Sequence, residues 1–244
     1  MEYVSCKNVV EFFLTDIEDL YQYFPISNFS RTKRRVIMED LNDVLDCVQE
    51  STLGYELPNP GLRNFYRDEI ERVFWVDDEI NANLLELVKM IMRYNKEDKD
   101  IPVEERKPIR VFIDSPGGDV TALWSTIKAI EISKTPVWTI NYCGCHSAAA
   151  DLLAAGHKRF ALPGTTAMVH NGSCGFQGQV DVVESTKKYY DKLGKKVIDY
   201  FLEHTKIEPK VFKKKASFDW YFDEQEMLEY GLIDAIVSNF EEIM

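Results

Sequence analysis

Two hydrophobic periods alternate along most of this chain, and each change of period marks an element. Ile109-Arg110-Val111-Phe112-Ile113 is a short apolar run that ends at Pro116-Gly117-Gly118, which predicts a strand entering a glycine turn. From Asp119 to Ser133 the period lengthens. Val120, Leu123, Trp124, Ile127 and Ile130 recur at helical spacing and form a stripe suited to a core. Val137-Trp138-Thr139-Ile140-Asn141 predicts a second buried strand, Cys143-Gly144-Cys145 a turn, and the small-residue stretch after Ser147 a helix. Strands are expected near 159–162 and 166–170, followed by a long helix from Val180 to His204 with Gly194 inside it. Asp223-Glu224-Gln225-Glu226 has the spacing of a capping box, Gly231 supplies a helix stop, and Leu232 to Val237 returns as a strand. Repeated strand–helix units of this kind define an α/β protein with a mostly parallel sheet and helices packed over it.

The first 70 residues read differently. Val36 to Val48 carries a helical stripe, Arg31-Thr32-Lys33-Arg34-Arg35 is a basic run that reads as a solvated turn, and Leu53 to Pro60 has the glycine and prolines of a joint. The expected organisation is an N-terminal extension over 1–70 and a main domain over 71–244. A cleaved propeptide, a cap and a docking element are equally open roles for the extension.

Candidate chemistry begins at Ser147, the first residue of Ser-Ala-Ala-Ala-Asp-Leu-Leu-Ala-Ala-Gly. The free N–H groups and positive dipole end of a helix N-terminus favour developing negative charge, and Ala148, Ala149 and Ala150 leave the corner open to a substrate backbone. Serine is also an ordinary N-cap, so a base is needed to distinguish the two roles. The chain has four histidines. His146 adjoins Ser147 and points elsewhere, His157 lies in a polar turn, and His204 ends a helix, where a cation complements the dipole. His170 closes the apolar run Ala167-Met168-Val169 just before Asn171-Gly172, at a strand end suited to a cleft. Asp219, between Phe218 and Trp220, is an acid among apolar neighbours and a candidate to orient the imidazole.

In order and spacing, Phe112-Ile113-Asp114-Ser115-Pro116-Gly117-Gly118, Ser147 with Leu152-Leu153-Ala154-Ala155-Gly156, Lys158-Arg159-Phe160-Ala161-Leu162-Pro163, Met168-Val169-His170, Gln177-Gly178-Gln179 and Glu229-Tyr230-Gly231-Leu232-Ile233-Asp234 resemble the ClpP family, the proteolytic subunits of the Clp protease. The resemblance covers about two thirds of the chain, from Arg72 to Val237. It implies a spiral of βαβ units, the ClpP/crotonase-like fold, with the 180–204 helix as a protruding handle between two rings. It implies catalysis by Ser147, His170 and Asp219, with the backbone N–H groups of Gly118 and Ala148 as an oxyanion hole. Gly117, Gly172 and Gln177 fall on substrate-binding positions, and the Gly172-to-Gly178 hairpin is expected to lend a strand edge to the peptide. The implied assembly is a double ring of heptamers that digests polypeptides, fed by an AAA+ unfoldase such as ClpX or ClpA. That partner would consume the ATP, and the chain itself would need no cofactor or metal.

This chain departs from the family pattern at His146, Ala148-Ala149, Asp114, Asn171-Gly172-Ser173 and Asp151. A carboxylate at 151, one helical turn from Ser147, would repel acidic side chains or raise the pKa of His170, so the family's apolar preference does not carry over. Other functions that fit the sequence are a phage-type processing protease working without an unfoldase, a weakly active structural subunit, and a crotonase-like acyl-CoA enzyme. The last needs no Ser/His/Asp set.

Composition narrows the partners. The chain has 244 residues, is 45% hydrophobic and carries a net charge of −12. That charge argues against nucleic acid or an anionic membrane as the main partner. No apolar run reaches the length of a membrane span, and the N-terminus lacks the pattern of a secretory signal. Five scattered cysteines favour reduced thiols in a cytoplasmic setting, with Cys143 and Cys145 as small buried residues rather than a metal pair.

Overall fold

The computed structural model describes residues 60–244, and side chains from residue 64 onward. The chain divides between Glu71 and Arg72. On the N-terminal side, α1 (Pro60–Glu71) is described by itself; the predicted helix at 36–48, the basic run at 31–35 and most of the joint at 53–60 lie outside the described residues.

Beyond Arg72 the elements are β1 (Val73–Val76), α2 (Leu85–Glu97), β2 (Ile109–Ser115), α3 (Val120–Ile132), β3 (Val137–His146), α4 (Ala148–Ala154), β4 (Lys158–Ala161), β5 (Thr166–Val169), α5 (Val180–Glu203), α6 (Pro209–Lys215), β6 (Trp220–Asp223), α7 (Glu224–Glu229) and β7 (Ala235–Ile236). The sheet runs β1-β2-β3-β4-β7, with β5 also paired to β3 and β6 to β5. All pairs are parallel except β5–β6. The expected α/β class with a mostly parallel sheet is what the chain adopts.

Both faces of this sheet are covered, which is why β2 reads as a continuous apolar run rather than an alternating one. One core joins Ile109, Val111 and Ile113 to Leu87 and Ile91 of α2, Leu123 and Ile127 of α3, and Val197 and Phe201 of α5. A smaller one gathers Val73, Phe112, Ile140, Phe160, Val237 and Ile243. The stripe on α3 is buried as its spacing predicts. The α2 stripe of Leu87, Met90, Ile91 and Tyr94 has the same spacing and is a helix the sequence reading left unassigned.

Two boundaries need correction. Cys143-Gly144-Cys145 is part of β3 rather than a turn. Val137 to Asn141 lies beside β2, Trp138 to Asn141 also pairs with β4, and Gly144 to His146 pairs with Thr166 to Met168 of β5. The strand thus forks from one neighbour to another. Buried Asn141 holds the fork by donating from Nδ2 to the Thr166 carbonyl at 2.9 Å. The final strand is shorter than Leu232 to Val237, because the Leu232 and Ile233 N–H groups turn back to the Met227 carbonyl.

Two of the recurrent segments share one physical role. Arg159 donates to the Asp234 carboxylate and to the carbonyls of His204 and Gly231, tying β4 to the end of α5 and the turn before β7. Burial opposes ionisation of Asp234, but the Arg159 contacts prevail and hold its carboxyl below the usual range. The capping box on α7 is formed as predicted, with Asp223 accepting from the Glu226 N–H and Glu226 accepting from the Asp223 N–H.

Candidate active site

β3 delivers Ser147 to the site in a strained conformation. Its φ of +54° is one of two positive values among the described non-glycine residues. Two contacts impose it. The Ser147 N–H extends the β3–β5 ladder by donating to the Met168 carbonyl at 2.7 Å, and α4 starts at the next residue, with Ala150 N–H reaching the Ser147 carbonyl at 2.9 Å. A strand that becomes a helix within one residue must turn sharply, and the turn thrusts the hydroxyl outward. That hydroxyl makes no helix-capping bond, which removes the ordinary role for a serine at this position.

The Ser147 Oγ instead lies 2.7 Å from His170 Nε2. His170 follows directly on β5, as its sequence context predicts. Its Nδ1 faces Asp219 Oδ1 at 3.4 Å, beyond the usual range for a hydrogen bond. Asp219 sits in the loop before β6, and the antiparallel β5–β6 pair and an Asn171 N–H to Ala216 carbonyl bond draw the two together. The aromatic neighbours of this acid do not bury it. Its side chain is 54% exposed against 22% for His170, and Phe218 points into solvent. The alternation of β6, with Trp220 and Phe222 inward, explains why flanking aromatics failed to predict burial.

Gly117 and Gly118 lie against the nucleophile. A Cβ on Gly117 would sit 2.8 Å from Ser147 Cβ and 3.0 Å from Ala148 N, so only glycine permits this approach. Ile80 clamps the pair from the other side, its N–H donating to the Gly117 carbonyl and its carbonyl accepting from the Asp119 N–H, both at 2.7 Å. The clamp leaves the Gly118 N–H without an acceptor among the described residues, and the first N–H of α4, on Ala148, likewise has none. Ile80 was not foreseen, and as a backbone contact it leaves no signature in residue type.

The remaining expected positions are placed as follows. Gly172 and Gln177 are exposed, and residues 171–179 form no strand among the described residues, so the expected hairpin edge is absent from this single chain. Among the other histidines, His146 faces Thr166 and Tyr221, and His204 caps α5 as expected. His157 is exposed as expected, but its Nδ1 also accepts from the Val137 N–H. Cys145 is buried and Cys143 exposed, which corrects the expectation that both are interior. The Cys143 thiol is pushed up chiefly by the Asp114 charge, and the Cys145 thiol by burial and then Asp114, so neither is held as a thiolate nucleophile. Asp114 itself accepts from the Gly144 N–H at 3.1 Å, across the register shift between β2 and β3. No grouping of three or more His, Cys, Asp or Glu side chains suited to a metal occurs among the described residues.

Asp151 is half-buried on α4, and burial pushes its carboxyl up to about 8. Because the folded chain keeps a proton that the unfolded chain releases above its ordinary value, the contribution of this group to stability is greatest at acid pH. It declines as pH rises from about 4 to about 8. Asp151→Asn removes this titration. Its melting temperature is therefore expected to exceed that of the wild type by a margin that widens by about 5 °C between pH 5 and pH 8 in paired thermal melts.

The described residues thus bring together a strained serine bonded to a histidine, a carboxylate behind the histidine and two N–H groups without an acceptor. The family model described as Clp protease matches residues 70–240. ATP-dependent Clp protease proteolytic subunit 2 of Treponema denticola is 34% identical over 139 residues, 56% of this chain and 70% of that protein. The ATP-dependent Clp protease proteolytic subunit of Deinococcus radiodurans is 33% identical over 147 residues, 59% of this chain and 71% of that protein. This chain belongs to the Clp protease family.

Proposed function

We propose that this protein is a serine endopeptidase that cleaves polypeptides through a Ser147 acyl-enzyme. The observation that carries the reading is the 2.7 Å contact between Ser147 Oγ and His170 Nε2 at a serine whose backbone is strained and whose hydroxyl caps nothing. His170 takes the hydroxyl proton as Oγ attacks the scissile carbonyl, and the Oγ–C bond forms. The oxyanion is held by the N–H groups of Gly118 and Ala148. His170 then passes the proton to the leaving amine as the C–N bond breaks, and water repeats the sequence to release the acid and restore Ser147. Asp219 steadies the His170 tautomer across the 3.4 Å gap, a distance open to closing when peptide binds. Gly117, Gly172 and Gln177 border the peptide path, and no cofactor or metal is required by these steps.

The working form proposed is a double ring of heptamers fed by an AAA+ unfoldase of the ClpX or ClpA kind, which would consume the ATP. Two observations support it. The relatives are named as proteolytic subunits of an ATP-dependent protease. The N-terminal half of α5 exposes Val180, Val182 and Tyr189, while Leu193, Val197, Tyr200 and Phe201 bury the other half. A helix half anchored in this way suits a handle between subunits. Free thiols at Cys143, Cys145 and Cys174 fit a cytoplasmic setting, and no helix among the described residues is long and apolar enough to cross a membrane.

The test is fluorophosphonate labelling of the purified chain beside Ser147→Ala, read by intact mass. One adduct on the wild type and none on the variant is expected. An unlabelled wild type would falsify the activated-serine reading.

A further inference from the structure

One carboxylate near the nucleophile has no part in the steps above. Of the seven residues of α4, six are fully buried, and Asp151 alone retains access to the surface. It lies one turn beyond Ser147, its N–H reaching the Ser147 carbonyl at 3.4 Å. Residues four apart share a helix face, and helical side chains lean toward the N-terminus, so the carboxylate leans toward the nucleophile. Ser147 is itself partly accessible, so both residues keep access to the surface on one helix face. Ala148, Ala149 and Ala150 add little bulk around it. Among the described residues the Asp151 carboxylate has no hydrogen bond and no salt bridge.

An acid buried beside apolar residues without a partner is costly, and a fold keeps such a group where something pairs with it in use. The geometry points to Asp151 as a specificity-determining residue that receives a basic side chain, lysine or arginine, from the residue whose carbonyl Ser147 attacks, an assignment that rests on the peptidase reading. An arriving cation supplies the missing partner and returns the carboxyl to its charged form. An acidic side chain in its place would meet either a like charge or an apolar wall. A leucine there would leave the carboxyl desolvated, protonated and without a partner, and so forgo the pairing that a cation gains.

The test uses the full chain and peptidyl phosphonates that differ only in the side chain next to the phosphorus: lysine-like, leucine-like or glutamate-like. Adduct rates are read by intact mass, with a simple fluorophosphonate as a reference. The lysine-like reagent is expected to react about tenfold or more faster than the leucine-like one, and the glutamate-like one slowest. Asp151→Leu should invert the first ratio, and the near-isosteric Asp151→Asn should bring it close to one, each rate being taken relative to the same variant's rate with the simple fluorophosphonate. A wild type that labels with the simple reagent yet prefers the leucine-like phosphonate overturns the assignment alone. So does a lysine preference that survives in both variants. If the simple reagent labels nothing, the peptidase reading fails and the assignment falls with it.

Discussion

His170→Ala is expected to lower peptide hydrolysis by at least about a thousandfold, close to the loss from Ser147→Ala, because the two side chains act as a unit and either removal ends proton transfer. Asp219→Asn should cost far less, about tenfold to a hundredfold. Where a triad carboxylate is buried and tightly bonded, its amide replacement is worth about ten thousandfold. Here the carboxylate is half in solvent and 3.4 Å from His170 Nδ1, so water already screens and competes with it. Steady-state kinetics on one short fluorogenic peptide would rank the three variants. A loss at Asp219→Asn equal to that at His170→Ala would mean that the contact tightens and desolvates fully when substrate binds.

The largest effect on folding is expected at Gly118. An alanine there would place Cβ 2.2 Å from the Ile80 carbonyl oxygen and 2.9 Å from its nitrogen, at a φ of +147° that side chains rarely tolerate. Both contacts are backbone, so nothing flexible can yield, and the Ile80 clamp must open. Gly118→Ala should cost about 4 kcal/mol or more, or leave no soluble protein, in denaturant titrations. Gly194→Ala is the matched control. It lies inside α5 with nothing within 4 Å of the new Cβ, and should stabilise by about 0.5–1 kcal/mol. Equal effects at the two positions would refute the clamp.

Much of this could be read from residue patterns. The helix α3 came within a residue of its bounds because burial of its apolar stripe is what makes it a helix, and α5 did so although only its C-terminal half is buried. His170 was legible because a polar residue closing an apolar strand has few other uses. The strand through Cys143-Gly144-Cys145 was not legible. Its small residues give no alternation, and pairing with β5 on one side and with Ser115 of β2 on the other keeps it extended. The strain at Ser147 was equally hidden, since it arises from an N–H bond to Met168, a contact between elements. Asp219 could not be told from the other acids by residue pattern and came only from the family resemblance; its neighbouring aromatics report the faces of β6 and not the setting of the acid before it.

The antiparallel β5–β6 pair also sets a schedule. Ser147 and His170 lie in neighbouring elements of the chain, whereas Asp219 and the strand that draws it in follow only after all of α5 and α6. A growing chain that already carries Ser147 and His170 therefore lacks the carboxylate behind them until β6 has been made and has paired with β5.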